Sequence, residues 1–311
     1  NGRFEDKKQK ERKMNGILCI NKPQEYTSFD VIARIRGMSK TKRVGHSGTL
    51  DPMATGVLPV FIGMATKACD LLPDDNKCYE AAFALGTETD TLDCWGTVKR
   101  VCDAHVRTEE LTAILPRFTG EIEQIPPMYS AVRVNGQRLY DIARQGREIE
   151  RMPRKVNVMR LACTNFDEER QTGTLSVSCS KGTYIRSIIS DIGAALGCGA
   201  MMTGLVRVKA CGFTLEDCIT LDEAQTLTQE GTLASRLLPV DRLFYHLPRI
   251  SLNEIQSVKF KNGVRLDLNR VKHKRIETMH RVYSADKTFL GLASLDHSDE
   301  SLRIEKMFIE K

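Results

Sequence analysis

The sequence predicts an α+β fold in two parts, a larger domain followed by a smaller domain that is mostly β. Apolar residues recur both in alternation and in helical stripes, yet strands and helices do not alternate as in a doubly wound fold. The length of 311 residues suits one large and one small domain. Because Pro239 and Pro248 bracket a linker, we place the domains at residues 14–245 and 246–311.

The amino-terminal part of the larger domain begins with an apolar strand predicted at residues 16–20. Thr27 and Asp30 then have capping-box spacing, which predicts the start of a helix with an apolar face. Residues 45–56 contain too many glycine and proline residues for the interior of a helix or strand, so they are predicted to form a loop. This part therefore reads as strand, helix and loop.

Later elements follow from the same patterns. Strands are predicted near 57–62, 78–86 and 172–179, and helical stripes at 111–118 and 185–196. In the smaller domain, Ser251 and Glu254 have capping-box spacing before a short helix that ends at Asn262 and Gly263. Strand-like runs complete that domain at 280–284, 288–295 and 302–309.

Composition and residue spacing exclude several classes of protein. The chain is 41% hydrophobic and 28% charged, and it lacks both a bilayer-spanning apolar run and a secretory leader, which predicts a cytoplasmic protein. The ten cysteines include no C-x-x-C pair and the six histidines no H-x-x-x-H pair, so we expect reduced thiols and no metal site. No GxxxxGK or GxGxxG motif occurs either, so we expect no cofactor. Residues 1–13 are highly charged and are expected to be a disordered leader or a cloning remnant.

A basic segment points to the kind of partner. Residues 131–160 contain eight arginine or lysine residues against three acidic ones, although the whole chain carries a net charge of only +6. Such a concentration is expected for binding of a polyanion, but it is equally compatible with a solvated charged surface.

The loop at 45–56 is the strongest candidate for chemistry. Three glycines in one loop indicate unusual backbone angles or close approach of a ligand. Asp51 is its only carboxylate, and Pro52 stiffens the chain directly after it. This arrangement suits a carboxylate held for a substrate, and the alternative is an aspartate that forms a turn before proline.

Arg186 lies in the first turn of the predicted helix but off its apolar stripe. The helix dipole favours anions at that end, so the dipole does not explain a cation there. A carboxylate partner would explain the arginine, and a simply exposed side chain is the alternative.

Five segments in order resemble the motifs of the TruB family of pseudouridine synthases. The loop motif GHSGTLDPMATGVLPV resembles the catalytic motif of that family, and its neighbours along residues 16–213 match as well. These neighbours are INKPQEYTS at 20–28, DNKCYEAAFALGTETDTLDCWG at 75–96, CSKGTYIRSIISDIG at 179–193 and GCGAMMTGLVRVKACGF at 197–213. The resemblance implies a catalytic domain with a mixed, largely antiparallel sheet flanked by helices. It also implies isomerisation of uridine to pseudouridine at position 55 in the T loop of tRNA.

The resemblance also implies roles for single residues. Asp51 would be the nucleophile, whether it attacks the sugar or the base, and Arg186 would be its partner. Tyr79 would stack on the target base, near the proton that leaves C5. His46 would help to take the uridine out of the RNA stack. Asp90 would hydrogen-bond His46 or the flipped nucleotide, and the pocket would be lined by Lys22, Tyr184 and Leu205.

Two further segments resemble parts that bind RNA. Residues 124–160 resemble the insertion by which stand-alone members of the family grip the T loop, where arginines meet phosphates and Tyr129 and Tyr140 offer stacking surfaces. The arginines concerned are Arg133, Arg138, Arg144, Arg147 and Arg151. The smaller domain resembles a PUA-type RNA-binding module, with a basic cluster of Lys272, Lys274 and Arg275.

Three other functions compete with this hypothesis. A guide-RNA-dependent synthase subunit would need partner proteins, whereas the segment at 124–160 favours a monomer with no obligatory protein partner. An RNA chaperone without required catalysis would not need Asp51, Tyr79 and Arg186 together. A glycosidase usually needs two carboxylates, and the sequence shows no evident second one beside Asp51.

Overall fold

The computed structural model describes residues 14–72, 76–272 and 279–309. The predictions for residues 1–13 and for Lys274 and Arg275 therefore lie outside the described residues. Within the described part, the α-helices are α1 (Ser28–Ser39), α2 (Thr108–Ile114), α3 (Leu139–Arg144), α4 (Ile185–Ala195), α5 (Leu221–Gln229) and α6 (Glu254–Lys261). No helix in this part is both long enough and apolar enough to cross a bilayer.

The larger domain is organised by one mixed sheet. Its strands are β1 (Gly16–Lys22), β2 (Val44–His46), β3 (Thr55–Ile62), β4 (Lys77–Leu85), β7 (Gly120–Gln124), β10 (Arg154–Asp167), β11 (Thr172–Cys179), β12 (Ala200–Ala210) and β13 (Phe213–Thr214). Two small hairpins stand apart from this sheet: β5 (Thr87–Thr89) with β6 (Val98–Val101), and β8 (Arg133–Val134) with β9 (Gln137–Arg138).

The main path through the sheet is β1-β3-β12-β4-β11-β10-β7, with β2 paired to β3 and β13 to β12. Every pairing is antiparallel except that between β3 and β12. The prediction of a mixed, largely antiparallel sheet flanked by helices is confirmed. Two long strands, β10 and β12, were not identified as elements from the sequence.

Local sequence patterns set the helices that flank the sheet. Thr27 caps α1 in a capping box with Asp30, as its spacing predicted. The buried stripe of α4 consists of Ile185, Ile188, Ile189 and Ile192, and it packs against β4, β11 and β12 in one hydrophobic cluster. On α1, Val31, Ile32 and Ile35 pack instead against β1 and β3. Helices thus cover the sheet through separate apolar clusters.

The smaller domain holds a five-stranded sheet. Its strands are β14 (Arg249–Ser251), β15 (Leu266–Asp267), β16 (His280–Tyr283), β17 (Phe289–Asp296) and β18 (Ser301–Met307), in the order β14-β16-β17-β18-β15. The capping box predicted at Ser251 and Glu254 was wrong by two residues. Asn253 caps α6 with Gln256, because Ser251 still pairs with Tyr283 in the sheet.

The two domains share a hydrophobic cluster. Phe244 from the linker lies 5.9 Å, between ring centroids, from Phe308 of the smaller domain, whose ring lies 5.4 Å from that of Phe289. The same cluster includes Val57 and Phe61 of β3. The strand that follows the candidate loop is therefore held on one side by the smaller domain.

Gly56, at the end of the candidate loop, brings β3 close to β12. It pairs with Arg207 and has a φ of 104°, in the region that favours glycine. A Cβ atom at this position would lie 2.3 Å from the carbonyl oxygen of Arg207. The close approach of these two strands therefore requires glycine.

Lys22 supports the candidate loop from behind. Its ammonium donates hydrogen bonds to the carbonyl oxygens of Pro23 at 2.9 Å, Tyr26 at 2.6 Å and, in the loop itself, Pro52 at 3.4 Å. The lysine is fully buried, and burial lowers its pKa to about 8. A buried cation thus ties the end of β1 to the loop.

We expect Gly56→Ala to lower the free energy of unfolding by about 2–4 kcal/mol, because the methyl group meets the backbone of Arg207 at a strained φ. Urea unfolding measures this change. Gly37→Ala is the matched control, since Gly37 lies in α1 with open space around it and should gain about 0.5–1 kcal/mol. Equal changes in the free energy of unfolding for the two substitutions would contradict the requirement for glycine at position 56.

The second prediction concerns Lys22→Met, which removes the buried ammonium. The pKa of Lys22 is about 8 in the folded protein against an ordinary 10.5. Between these pH values the unfolded chain binds more protons than the folded one, so the contribution of Lys22 to stability rises with pH. In urea unfolding from pH 7 to pH 10, the free energy of unfolding of the wild type should rise relative to that of Lys22→Met above pH 8. A constant difference across this range would refute the lowered pKa.

Candidate active site

The backbone around Asp51 is fixed by hydrogen bonds from buried groups. Leu50 donates its amide to the Ser28 hydroxyl at 2.9 Å, and that hydroxyl donates back to the Leu50 carbonyl at 3.3 Å. Asp51 accepts the amide of Ala54 through its own carbonyl at 3.0 Å. Its carboxylate is still 36% exposed, so a rigid loop presents the carboxylate to an open space.

Arg186 is the partner of Asp51, with its Nη2 2.9 Å from the Asp51 Oδ2. The guanidinium is only 4% exposed, and it also donates to the carbonyl oxygens of Thr91 at 2.8 Å and Tyr129 at 2.9 Å. The alternative of an exposed arginine is therefore wrong. One side chain in the first turn of α4 joins the candidate loop, the β5–β6 hairpin and the segment at 124–160.

A second carboxylate near Arg186 belongs to Asp93 rather than Asp90. Asp93 Oδ2 lies 3.7 Å from Arg186 Nη1, and Asp93 is 7% exposed. Asp90 instead accepts the backbone amide of Thr97 at 2.7 Å, and no hydrogen bond is found between it and His46. The two aspartates are three residues apart in TETDTLD, so the sequence alone could not say which one faces the arginine.

Tyr79 lies on β4, between Val177 of β11 and Arg207 of β12. It is 7% exposed, and burial raises its pKa to about 12, although the nearby Arg207 guanidinium opposes this rise. The phenol is therefore neutral at physiological pH. Arg207 is fully buried and donates to the carbonyl oxygens of Val57 at 2.8 Å and Gly48 at 3.1 Å. Arg207 therefore also fixes the backbone of the candidate loop.

Asp51, Tyr79, Arg186 and Arg207 line one cavity. Its volume is about 270 Å³, near the lower end of the range for small-ligand pockets. The predicted residues that line it are Asp51, Tyr79, Tyr184, Arg186 and Leu205. Leu205 is 8% exposed and also packs in the core, so both of its expected roles coexist. Lys22 does not line this cavity, because its ammonium points into the carbonyl oxygens behind the loop.

Tyr184 anchors the start of α4. Its amide donates to the Gln124 side chain at 2.7 Å, and its carbonyl accepts from that side chain at 3.0 Å. Burial also raises the pKa of the Tyr184 phenol. The anchor on β7 places Arg186, two residues later, within reach of Asp51.

His46 lies at the end of β2 and lines a larger groove of about 760 Å³ that also opens onto Asp51. Burial lowers the pKa of His46, so its ring is neutral at physiological pH. Its Nδ1 is buried and has no hydrogen-bond partner among the described residues. A neutral ring of this kind can pack against a nucleobase.

The predicted RNA-gripping arginines divide into a set that lines the groove and a set that does not. Arg133, Arg138 and Arg144 line the groove, and the last two lie over the Tyr140 ring at 5.6 and 5.4 Å from its centroid. Arg151 instead donates to the Pro126 carbonyl at 3.2 Å and to Glu148 at 2.8 Å, which holds the segment together internally. Arg147 is exposed but does not line the groove.

Sequence reasoning missed three charged residues of the site: Lys77, Asp93 and Arg207. All three are buried, and Lys77 and Arg207 line the cavity. A signal for Arg207 was present, because it lies two residues after Leu205 on β12 and therefore on the same face of the strand. No group of three or more possible metal ligands occurs among residues 14–72, 76–272 and 279–309.

Comparison with known proteins connects this site to one family. The profile described as TruB family pseudouridylate synthase (N terminal domain) matches residues 36–185. The profile described as tRNA pseudouridylate synthase B C-terminal domain matches residues 186–245. The chain is 41% identical over 300 residues to tRNA pseudouridine synthase B of Dehalococcoides mccartyi, covering 96% of this chain and 98% of that protein. It is 39% identical over 297 residues to tRNA pseudouridine synthase B of Clostridium kluyveri, covering 95% and 100%.

Solved structures share the fold. A Cbf5–Nop10–Gar1 complex contains a chain that aligns with a TM-score of 0.69 at 24% identity, covering 95% of this chain and 85% of that one. An H/ACA ribonucleoprotein bound to a substrate RNA containing 2'-deoxyuridine gives the same TM-score at 22% identity and the same coverage. Because both family profiles match and the relatives are about 40% identical over nearly the full chain, the chain belongs to the TruB family of pseudouridine synthases.

Proposed function

We propose that this enzyme isomerises uridine 55 in the T loop of tRNA, with Asp51 as the nucleophile. The observation that carries the proposal is the ion pair of 2.9 Å between Asp51 and the buried Arg186, at the wall of a cavity that Tyr79 also lines. The tRNA substrate is supported by the relatives that match the chain at about 40% identity over nearly their full length, since they are named tRNA pseudouridine synthase B.

The chemistry needs one covalent intermediate and no external group. Asp51 forms a bond to the uridine, and the bond between N1 and C1' breaks. The base then turns, C5 joins C1', and the bond to Asp51 breaks so that the carboxylate is free again. N1 gains a proton and C5 loses one, so the reaction is a net isomerisation. Arg186 holds the Asp51 carboxylate in place through the ion pair of 2.9 Å.

Tyr79 meets the uracil as a neutral ring, because its pKa is about 12. It stacks on the base in the cavity near the C5 proton. The base must leave the RNA stack to reach the cavity, and the neutral His46 ring in the adjoining groove is suited to filling the gap.

The RNA is held outside the cavity. Arg133, Arg138 and Arg144 line the groove, where guanidinium groups can meet phosphates. Because the chain supplies this grip itself, we propose that it acts as a monomer without a guide RNA or partner protein. The smaller domain, as a PUA-like module, would contact RNA beyond the loop, and its one described residue of the predicted basic cluster, Lys272, is exposed.

The third prediction tests the nucleophile. Tritium release from a tRNA transcript labelled at uridine C5 should be detected with the purified wild type alone. Asp51→Asn should lower the rate by at least about 10³-fold, because the carboxylate that forms the covalent bond is lost. Its affinity for tRNA and its thermal unfolding should stay close to those of the wild type. Asp70→Asn, an exposed aspartate outside the site, is the control.

The same assay separates the parts of the proposal. A transcript with cytidine at position 55 should release no tritium, and release from it would refute the T-loop site. If Asp51→Asn retained activity, another group would be the nucleophile. Binding without release by the wild type would favour a guided enzyme or an RNA chaperone.

The fourth prediction concerns the two sets of arginines. Arg144→Gln should weaken tRNA binding and reduce the slope of log K against log salt by about 0.7–0.9, because one phosphate contact is lost. Arg151→Gln should leave that slope unchanged, since Arg151 bonds within the protein. Filter binding from 50 to 300 mM salt measures the slope for each variant. Equal slopes for the two variants would refute the different roles proposed for Arg144 and Arg151.

A further inference from the structure

Two large aromatic side chains stand exposed beside the catalytic aspartate. Phe29 is 67% exposed and Trp95 is 51% exposed, and both line the groove of about 760 Å³ that also includes Asp51. Exposed apolar groups gathered at a groove mark a binding surface more often than scattered ones do. Neither residue has a role in the chemistry described above.

The turn that carries Trp95 is held by hydrogen bonds within the protein. Trp95 donates its amide to the Asp93 side chain at 3.1 Å, and Thr97 donates its amide to Asp90 at 2.7 Å. A Cβ atom on Gly96 would lie 2.4 Å from the Asp90 Oδ1, so this position in the turn requires glycine. Asp90, which the resemblance implied would hydrogen-bond His46 or the flipped nucleotide, thus shapes the turn that presents Trp95.

Phe29 is equally well fixed at its backbone. It lies in the first turn of α1, next to Ser28, whose hydroxyl is bonded to the backbone of Leu50 in the catalytic loop. The two aromatic residues are therefore tied to the segments that position Asp51 and Arg186, so a ligand that contacts them is aligned with the cavity.

The charge of the same groove identifies the ligand class. Arg133, Arg138 and Arg144 share the groove with the two aromatic residues. Aromatic faces combined with arginines are characteristic of sites that bind unpaired nucleotides, because bases stack on the rings while phosphates meet the guanidinium groups. A fully paired duplex would offer the rings no free base face.

We propose that Trp95 and Phe29 are stacking platforms for the unpaired RNA bases that flank the target uridine. The proposal rests on the proposed function, and it adds the contacts that hold the neighbouring nucleotides while the uridine occupies the cavity. Both residues are positioning residues, since neither touches the reacting atoms. Their loss should therefore raise KM and leave kcat nearly unchanged.

Trp95 is the only tryptophan in the 311 residues, so its fluorescence reports directly on this position. A T-arm stem-loop RNA should quench the emission of the wild type on binding. A hairpin-free duplex of the same stem sequence should not quench it at concentrations at which the duplex is bound. Unchanged emission at saturating stem-loop RNA would overturn the proposal.

Variants give the second readout. Trp95→Ala should raise KM for tRNA about 10-fold with kcat within about two-fold, as expected for the loss of one base stack. Trp95→Phe should restore most of the affinity, and Phe29→Ala should raise KM as well. Val98→Ala is the control, because Val98 is 54% exposed on β6 near the same turn but does not line the groove.

The outcomes separate this proposal from the proposed function. A fall in kcat at unchanged KM for Trp95→Ala would show a structural effect through Asp93 and would overturn stacking. If the wild type released no tritium but the stem-loop still quenched Trp95, the proposed isomerisation at position 55 would fail, whereas stacking of unpaired bases on Trp95 would stand. If the wild type bound no RNA, both would be refuted.

Discussion

The buried guanidinium of Arg186 is the interaction on which the site depends. A charge that is 4% exposed must be compensated, and here Asp51, Asp93 and the carbonyl oxygens of Thr91 and Tyr129 do so. These partners come from three segments far apart in the chain. The contacts of one buried cation therefore bring together the candidate loop, the turn that carries Trp95 and the segment at 124–160.

Rigidity of the loop comes from buried polar groups on the side away from the cavity. Lys22 and Arg207 are fully buried, and both donate to backbone carbonyl oxygens of the loop or of its neighbours, while Ser28 bonds to Leu50 in both directions. Because these groups fix the backbone, the Asp51 carboxylate can remain partly exposed without losing its position. A preorganised carboxylate of this kind suits catalysis, since little reorganisation is needed when the substrate binds.

The two cavities differ in volume and in the side chains that line them. The smaller one is lined by Asp51, Tyr79 and Arg207, and in the proposed function it receives the single extruded nucleotide. The groove beside it carries exposed aromatic and arginine side chains, which suit the RNA around that nucleotide. Within 124–160, Arg133, Arg138 and Arg144 line the groove whereas Arg151 bonds within the segment, so the arginines of one basic run in the sequence have different surroundings in the structure.

The sequence by itself determined the local elements and the identity of the motif. The capping box of Thr27 and the apolar stripe of α4 depend on residues within a few positions of each other, and the loop around Asp51 is marked by its own glycines. Only the tertiary structure decided that Asp93 rather than Asp90 approaches Arg186, and that Lys22 lies behind the loop. The physical reason is that these contacts join segments set side by side by strand pairing and register, which local spacing in the sequence does not encode.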